Sequence, residues 1–237
     1  MRRANQSLWG VGLAVVMFLA PCALGQGSVG ISMNNGGQYA MNGVYVGAYN
    51  ATVNGQSSQI ICDDFSDDTY LNESWTANVT SFSNLGSSNT PMWTNQKGSS
   101  TLYADAAWLA TQMLAPGNQN NNTQGYLAYA LWNLFNPNAL NGLNSTQLKG
   151  INYWLSMIPA GLTPSQYANF FIYTPDLSKS ITCGGGNCPT APPQEFLGFV
   201  SAPEGGAALL YLLLAAASCL SAMAIRQRRQ ANVPEAS

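Results

Sequence analysis

Three cysteines and a run of carboxylates are the side chains of this 237-residue sequence best suited to chemistry. Cys183 and Cys188 flank Gly184, Gly185, Gly186 and Asn187, and glycines let a chain turn sharply enough for two thiols to meet. In an oxidising compartment that spacing predicts a small disulfide loop. Cys62 is left over, in the setting Ile60-Ile61-Cys62-Asp63-Asp64-Phe65. A free thiol at the end of an apolar run is expected to be buried. Asp63, Asp64, Asp67 and Asp68 could hold calcium through carboxylate oxygens, but they lack the Asp-x-Asp-x-Asp-Gly order of an EF-hand loop and read as a solvated acidic turn. Two carboxylates could also serve a glycosidase, yet no nucleophile elbow or phosphate loop marks a catalytic pair. Three cysteines without a histidine or a second close pair do not make a zinc site, and neither metal nor cofactor is expected.

Composition narrows the chemistry further. The sequence contains no histidine, so the usual general base and commonest metal ligand are missing. Only 8% of residues are charged, with Lys plus Arg at 8 and Asp plus Glu at 10, against roughly 25% in an ordinary soluble domain. There is no basic surface to neutralise phosphates, which excludes nucleic acid as an expected partner.

Both ends of the sequence read as addresses. Residues 1–25 open with Arg2 and Arg3, run through an apolar stretch from Leu8 to Ala20 and finish with small residues up to Gly25. That order predicts a secretory signal peptide, handled by the secretion translocon and signal peptidase. At the other end residues 207–225 carry no charge and are followed by Arg226, Arg228 and Arg229. At about 1.5 Å rise per residue this segment would be a helix of roughly 28 Å, enough to cross a bilayer. The arginines of 226–229 would hold the C-terminus in the cytoplasm and leave residues 26–202 outside. Just before the helix, Pro203, Glu204, Gly205 and Gly206 prevent an early helix start and leave an extended stretch at the membrane face.

By residue pattern alone this tail is a plain C-terminal anchor. The order of its three parts, across residues 203–237, resembles the PEP-CTERM sorting signal of Gram-negative bacteria, in a variant reading Pro-Glu-Gly-Gly. The resemblance implies export, retention in the membrane, and cleavage near Pro203 and Glu204 by an exosortase, followed by release to the cell surface or extracellular matrix.

The elements that must position Cys62 and the acids lie in residues 26–202. This part holds eight carboxylates against Lys97, Lys149 and Lys179, a net charge of −5, and every arginine lies in the two ends. Tyr45 to Val53 alternates loosely, Asn54-Gly55 marks a two-residue hairpin, and Ser58 to Cys62 returns. Ser74 to Phe82 is a further strand, with Trp75, Ala77 and Val79 on one side. The period then changes. Leu102, Ala106, Leu109 and Met113 predict one helix, Gly125 to Phe135 a second, and Ser145 to Ile158 a third. Their aromatic residues could form a sugar-stacking platform, but the spacing favours core. After Pro164 the chain is expected to be irregular, with a last strand over Gln194 to Val200. The fold class expected is α+β, a small antiparallel β-sheet with about three central helices, plus the signal peptide and one C-terminal transmembrane helix.

An apolar-Cys segment followed by a helix bearing Ala130-Leu131-Trp132 also resembles bacterial thioester adhesin domains, where a cysteine joins a glutamine side chain. The resemblance places that glutamine two residues before the alanine, where this sequence has Ala128. Gln124, one turn earlier, would have to supply the amide to Cys62. Two function classes follow. One is a noncatalytic surface or matrix protein, anchored and then processed by an exosortase. The other is a secreted carbohydrate-binding adhesin, or a carbohydrate-active enzyme, that meets extracellular polysaccharide and carries the same tail.

Overall fold

A computed structural model of the chain describes residues 27–87, 90–93, 95–96, 98–184 and 191–199. Residues 1–25, Cys188 and the tail with Pro203, Glu204, Gly205, Gly206, the 207–225 segment and Arg226, Arg228 and Arg229 lie outside the described residues. Among the described residues, no helix is long and apolar enough to cross a membrane.

Alternating burial organises the first strand, β1 (Ser28–Asn35), which hides Val29, Ile31 and Met33 and exposes the residues before them. Two hairpins follow, β2 (Tyr39–Met41) with β3 (Val44–Val46), and β4 (Ala48–Val53) with β5 (Gln56–Cys62). Each turns on an Asn-Gly pair with positive φ at both residues, 53° and 85° at Asn42-Gly43 and 49° and 79° at Asn54-Gly55. That left-handed pair matches the twist of the flanking strands. β6 (Glu73–Ser81) then buries Glu73, Trp75, Ala77 and Val79 on alternate positions. The stretch expected as one strand from Tyr45 to Val53 is divided at Gly47, whose φ of 92° breaks the extended run.

Three helices interrupt the sheet: α1 (Ser99–Leu114), α2 (Asn121–Phe135) and α3 (Ser145–Ser156). Side chains cap the second and third. Asn120 accepts from the amide of Thr123, and Asn144 with Gln147 forms a capping box at α3, each satisfying donors that a helix start leaves open. The middle helix is buried on most of its surface, including Leu127, Tyr129, Leu131, Trp132 and Phe135. Its aromatic residues Tyr129, Trp132 and Phe135 are core, and Tyr126 is half-buried against it. Full burial of a leucine such as Leu127 contributes about 2 kcal/mol.

The sheet is larger than the small one expected. β7 (Phe170–Pro175), β8 (Thr182–Cys183) and β9 (Phe196–Phe199) complete seven strands in the order β1-β4-β5-β9-β7-β6-β8. β1 also pairs with β6, from Ser28 with Asn78 to Ser32 with Ser74. Six strands, β1-β4-β5-β9-β7-β6, therefore close into an antiparallel barrel, with β8 added outside on Glu73 and Ser74. Closure removes the free edges that an open sheet would expose. β7 falls where irregular chain was expected. All six of its residues are buried, so it lacks the alternation by which a half-exposed strand is recognised.

Candidate functional site

The end of β5 carries the residues singled out as chemical. Cys62 is a free, buried cysteine, and its thiol donates to the Asp64 carbonyl at 2.9 Å. The indole Nε1 of Trp132 donates to the Cys62 carbonyl at 3.0 Å, tying α2 to the barrel. Burial pushes the Cys62 thiol well up, and the nearby Asp64 and Asp63 carboxyls push it further. A thiol in that environment is protonated and a poor nucleophile.

Gln124 has partners of its own. Its amide nitrogen donates to the carbonyls of Met113, at 2.7 Å, and Asn118, at 3.1 Å. Met113 is in the last turn of α1, where carbonyls lack helical partners, so Gln124 closes that end. A Cβ on Gly47 would stand 2.7 Å from Gln124 Oε1, so the glycine is what admits this side chain. The last pair of β4 and β5 is Ala48 with Ile61, so Gly47 and Cys62 each lie one residue beyond it in sequence. The fold thus brings the neighbourhoods of Cys62 and Gln124 together.

Cys183 is disulfide-bonded, and Cys188 lies outside the described residues. The acidic turn departs from expectation more strongly. Asp63 and Asp64 are wholly buried, as are Glu73 and Glu195, whereas Asp67 is half-buried and Asp68 exposed. The turn is therefore solvated only at its second pair. The reason is that β9 pairs against β5, Cys62 with Phe196, and brings Glu195 over Asp63. This long-range neighbour could not be read from local spacing.

Glu195 is supplied with donors. Its Oε1 accepts from the Tyr103 hydroxyl at 2.5 Å, and its Oε2 accepts from the Met92 amide at 2.8 Å and from the Thr174 hydroxyl. Both oxygens of Asp63 are buried with no donor facing them. Burial first, then the Glu195 and Asp64 carboxyls, hold the pKa of Asp63 well above the usual carboxylate range. Burial also raises Glu195, against the pull of its donors. A proton kept on Asp63 and directed at Glu195 would satisfy the pair, in line with the raised direction of both groups. Among the described residues no group of three or more acidic or cysteine side chains is arranged to hold a metal ion.

Asp64 leads from this interior to the surface. Its Oδ1 accepts from the Ser66 amide at 2.7 Å, while its Oδ2 is buried without a donor. Burial, and repulsion from Asp67, raise its pKa to about 6 against the lowering effect of Ser66. Asp67 lines a cleft of about 510 Å³, together with Asp68 and the aromatic side chains of Tyr45, Tyr49, Phe65, Tyr70 and Trp132. Phe65 packs on Trp132 with ring centroids 5.3 Å apart, and the Tyr49 hydroxyl donates to the Tyr45 carbonyl at 2.8 Å. These contacts fix the floor and one wall.

The rim is unusually apolar for a surface. Tyr45 is 55% exposed and Tyr70 45%, and Val44 and Leu71 beside them are also exposed. Most of the large hydrophobic side chains exposed among the described residues border this one cleft, the pattern of an interaction site and not of scattered surface leucines. In the sequence Tyr45 reads as the start of a strand, and neither it nor Tyr70 nor Leu71 belongs to a functional motif. The signal was Tyr70-Leu71 standing in an otherwise polar turn between two strands. The protonated pair of Asp63 and Glu195 does not line the cleft. No protein-family model, curated protein or solved structure matches this chain.

Proposed function

We propose that this chain is an exported, noncatalytic surface or matrix protein whose barrel and helices present one cleft for extracellular polysaccharide. The observation that supports this reading is the cleft itself, with exposed Tyr45 and Tyr70 at its rim, Trp132 and Phe65 at its base, and Asp67 and Asp68 at its side. Aromatic faces offer apolar area to a sugar ring, and the carboxylates accept from its hydroxyls. The carboxyl pair that keeps a proton is sealed in the interior, so it cannot protonate a glycosidic oxygen in the cleft.

In this account the signal peptide of residues 1–25 directs export. The apolar 207–225 segment, with Arg226, Arg228 and Arg229 behind it, holds the protein in the membrane until an exosortase cleaves near Pro203 and Glu204. The sequence order of the tail supports that part. Affinity electrophoresis of the full-length protein through gels containing polysaccharide from the producing cells tests the function. Retardation is expected, and Tyr45→Ala combined with Tyr70→Ala should weaken it tenfold or more, about 1.4 kcal/mol. Unretarded wild-type protein would refute the reading, equal retardation of the double variant would remove the cleft from it, and depolymerisation of the glycan would replace it with an enzyme.

A further inference from the structure

The charge of the cleft narrows what it takes, an inference that rests on the glycan reading above. We propose that the cleft selects a glycan bearing free, protonated amino groups, a polymer of hexosamine units, over neutral and acidic glycans.

Three observations support the choice. Among the described residues, none that lines the cleft is a lysine or arginine, whereas Asp67 and Asp68 both line it. Beside Asp67 but outside the cleft lining is Asp64, buried, with Oδ1 accepting from the Ser66 amide and Oδ2 facing no donor among the described residues. Repulsion between these two carboxyls is relieved by positive charge arriving from outside. An ammonium group on a sugar ring brings that charge and three donors. The hydroxyls of a neutral sugar bring donors only. Finally, the exported part carries eight carboxylates against three lysines, so its field attracts a polycation and repels a polymer of uronic acids. The aromatic walls are indifferent to this distinction, and they supply the area that any pyranose ring would cover. Selection therefore resides in the carboxyls and affinity in the rings. Asp67 and Asp68 are the acidic groups that line the cleft, Asp64 lies beside Asp67, and Asp63 and Glu195 lie deeper in the interior; no lysine or arginine among the described residues lines the cleft beside them.

Calorimetric titration of the full-length protein in detergent tests this with three probes: a glucosamine hexamer, its fully N-acetylated counterpart and a uronic acid hexamer. At about pH 7 the glucosamine hexamer should bind at least tenfold tighter than the N-acetylated one, and the uronic acid hexamer should not bind. The preference should shrink at about pH 4, where carboxylates take up protons. Asp67→Asn with Asp68→Asn should reduce affinity for the glucosamine hexamer tenfold and leave the N-acetylated hexamer unaffected. Asp68→Asn alone, at an exposed position, is the second variant should the pair disturb folding. Asp176→Asn, a half-buried carboxylate that does not line the cleft, should change nothing. Equal binding of the first two probes, or an equal loss in Asp176→Asn, overturns amine selection while leaving the glycan reading intact. Binding of none of the three overturns the amine proposal, and the glycan reading then stands or falls on the native-polysaccharide gel.

Discussion

Replacing Asp63 by asparagine should make the protein more stable at neutral pH. Asp63 is wholly buried, its oxygens meet no donor, and its neighbour Glu195 already accepts from Tyr103, Thr174 and Met92. In the unfolded chain Asp63 loses its proton near pH 4, but in the fold it keeps the proton well above that. Unfolding above about pH 4 therefore releases a proton, and stability falls as pH rises, by about 1.4 kcal/mol per pH unit until the folded group also ionises. Asparagine has nothing to release, and its amide can donate permanently to Glu195. The variant and wild type should be within about 1 kcal/mol at pH 4, with the gap widening at that slope and exceeding about 2 kcal/mol at neutral pH. Urea unfolding across pH 4 to 8 measures it as a shift in midpoint at constant slope. Subtracting the two profiles removes titrating groups remote from Asp63, and what remains is the response of Asp63 with its neighbours Glu195 and Asp64. Parallel profiles would refute the shared proton. Glu195→Gln is the counter-experiment. Its amide would confront one of three donors, so it should lose about 2–4 kcal/mol at both ends of the range.

Gly47→Ala should cost about 1–3 kcal/mol, because φ is 92° and the new methyl would meet Gln124 Oε1 at 2.7 Å; a thermal melt equal to wild type would mean that Gln124 moves aside freely. Cys62 should resist alkylation in the native protein and react on unfolding, and the intact mass should show no loss of ammonia. A missing ammonia would mean that Cys62 and Gln124 had formed the thioester after all. Glu204→Ala should leave the protein uncleaved in the membrane, and unchanged maturation on a blot of cell fractions would remove Glu204 from the sorting site.

Local patterns made much of the fold legible. Asn54-Gly55 gave its hairpin, Trp75-Ala77-Val79 its strand, and the helical spacing of Leu109 and Met113 or of Tyr129 and Trp132 gave helices that turn these residues into the core. Asn42-Gly43 carried the same turn signal and was passed over because the strands beside it are three residues each. β7 was not legible, since Phe170 to Pro175 is buried throughout and shows no alternation. Without β7 the barrel could not be closed on paper, and the sheet looked small. The site was less legible still. Asp63 and Asp64 look like a solvated turn until β9 lays Glu195 beside them, over a sequence separation that no local rule spans. Cys62 was legible as a buried thiol because an apolar run leads to it. The cleft depends on Tyr45 and Tyr70 meeting across separate turns, which only the assembled barrel brings about.

On the proposed function, residues 26–202 are the working molecule, delivered outside the cell and separated from both flanking segments. The mass of the mature protein recovered from producing cells tests this most directly. It should correspond to a chain that begins at Gln26 and ends close to Pro203 and Glu204. A mass that retains Met1 through Gly25, or keeps Arg226, Arg228 and Arg229, would contradict it.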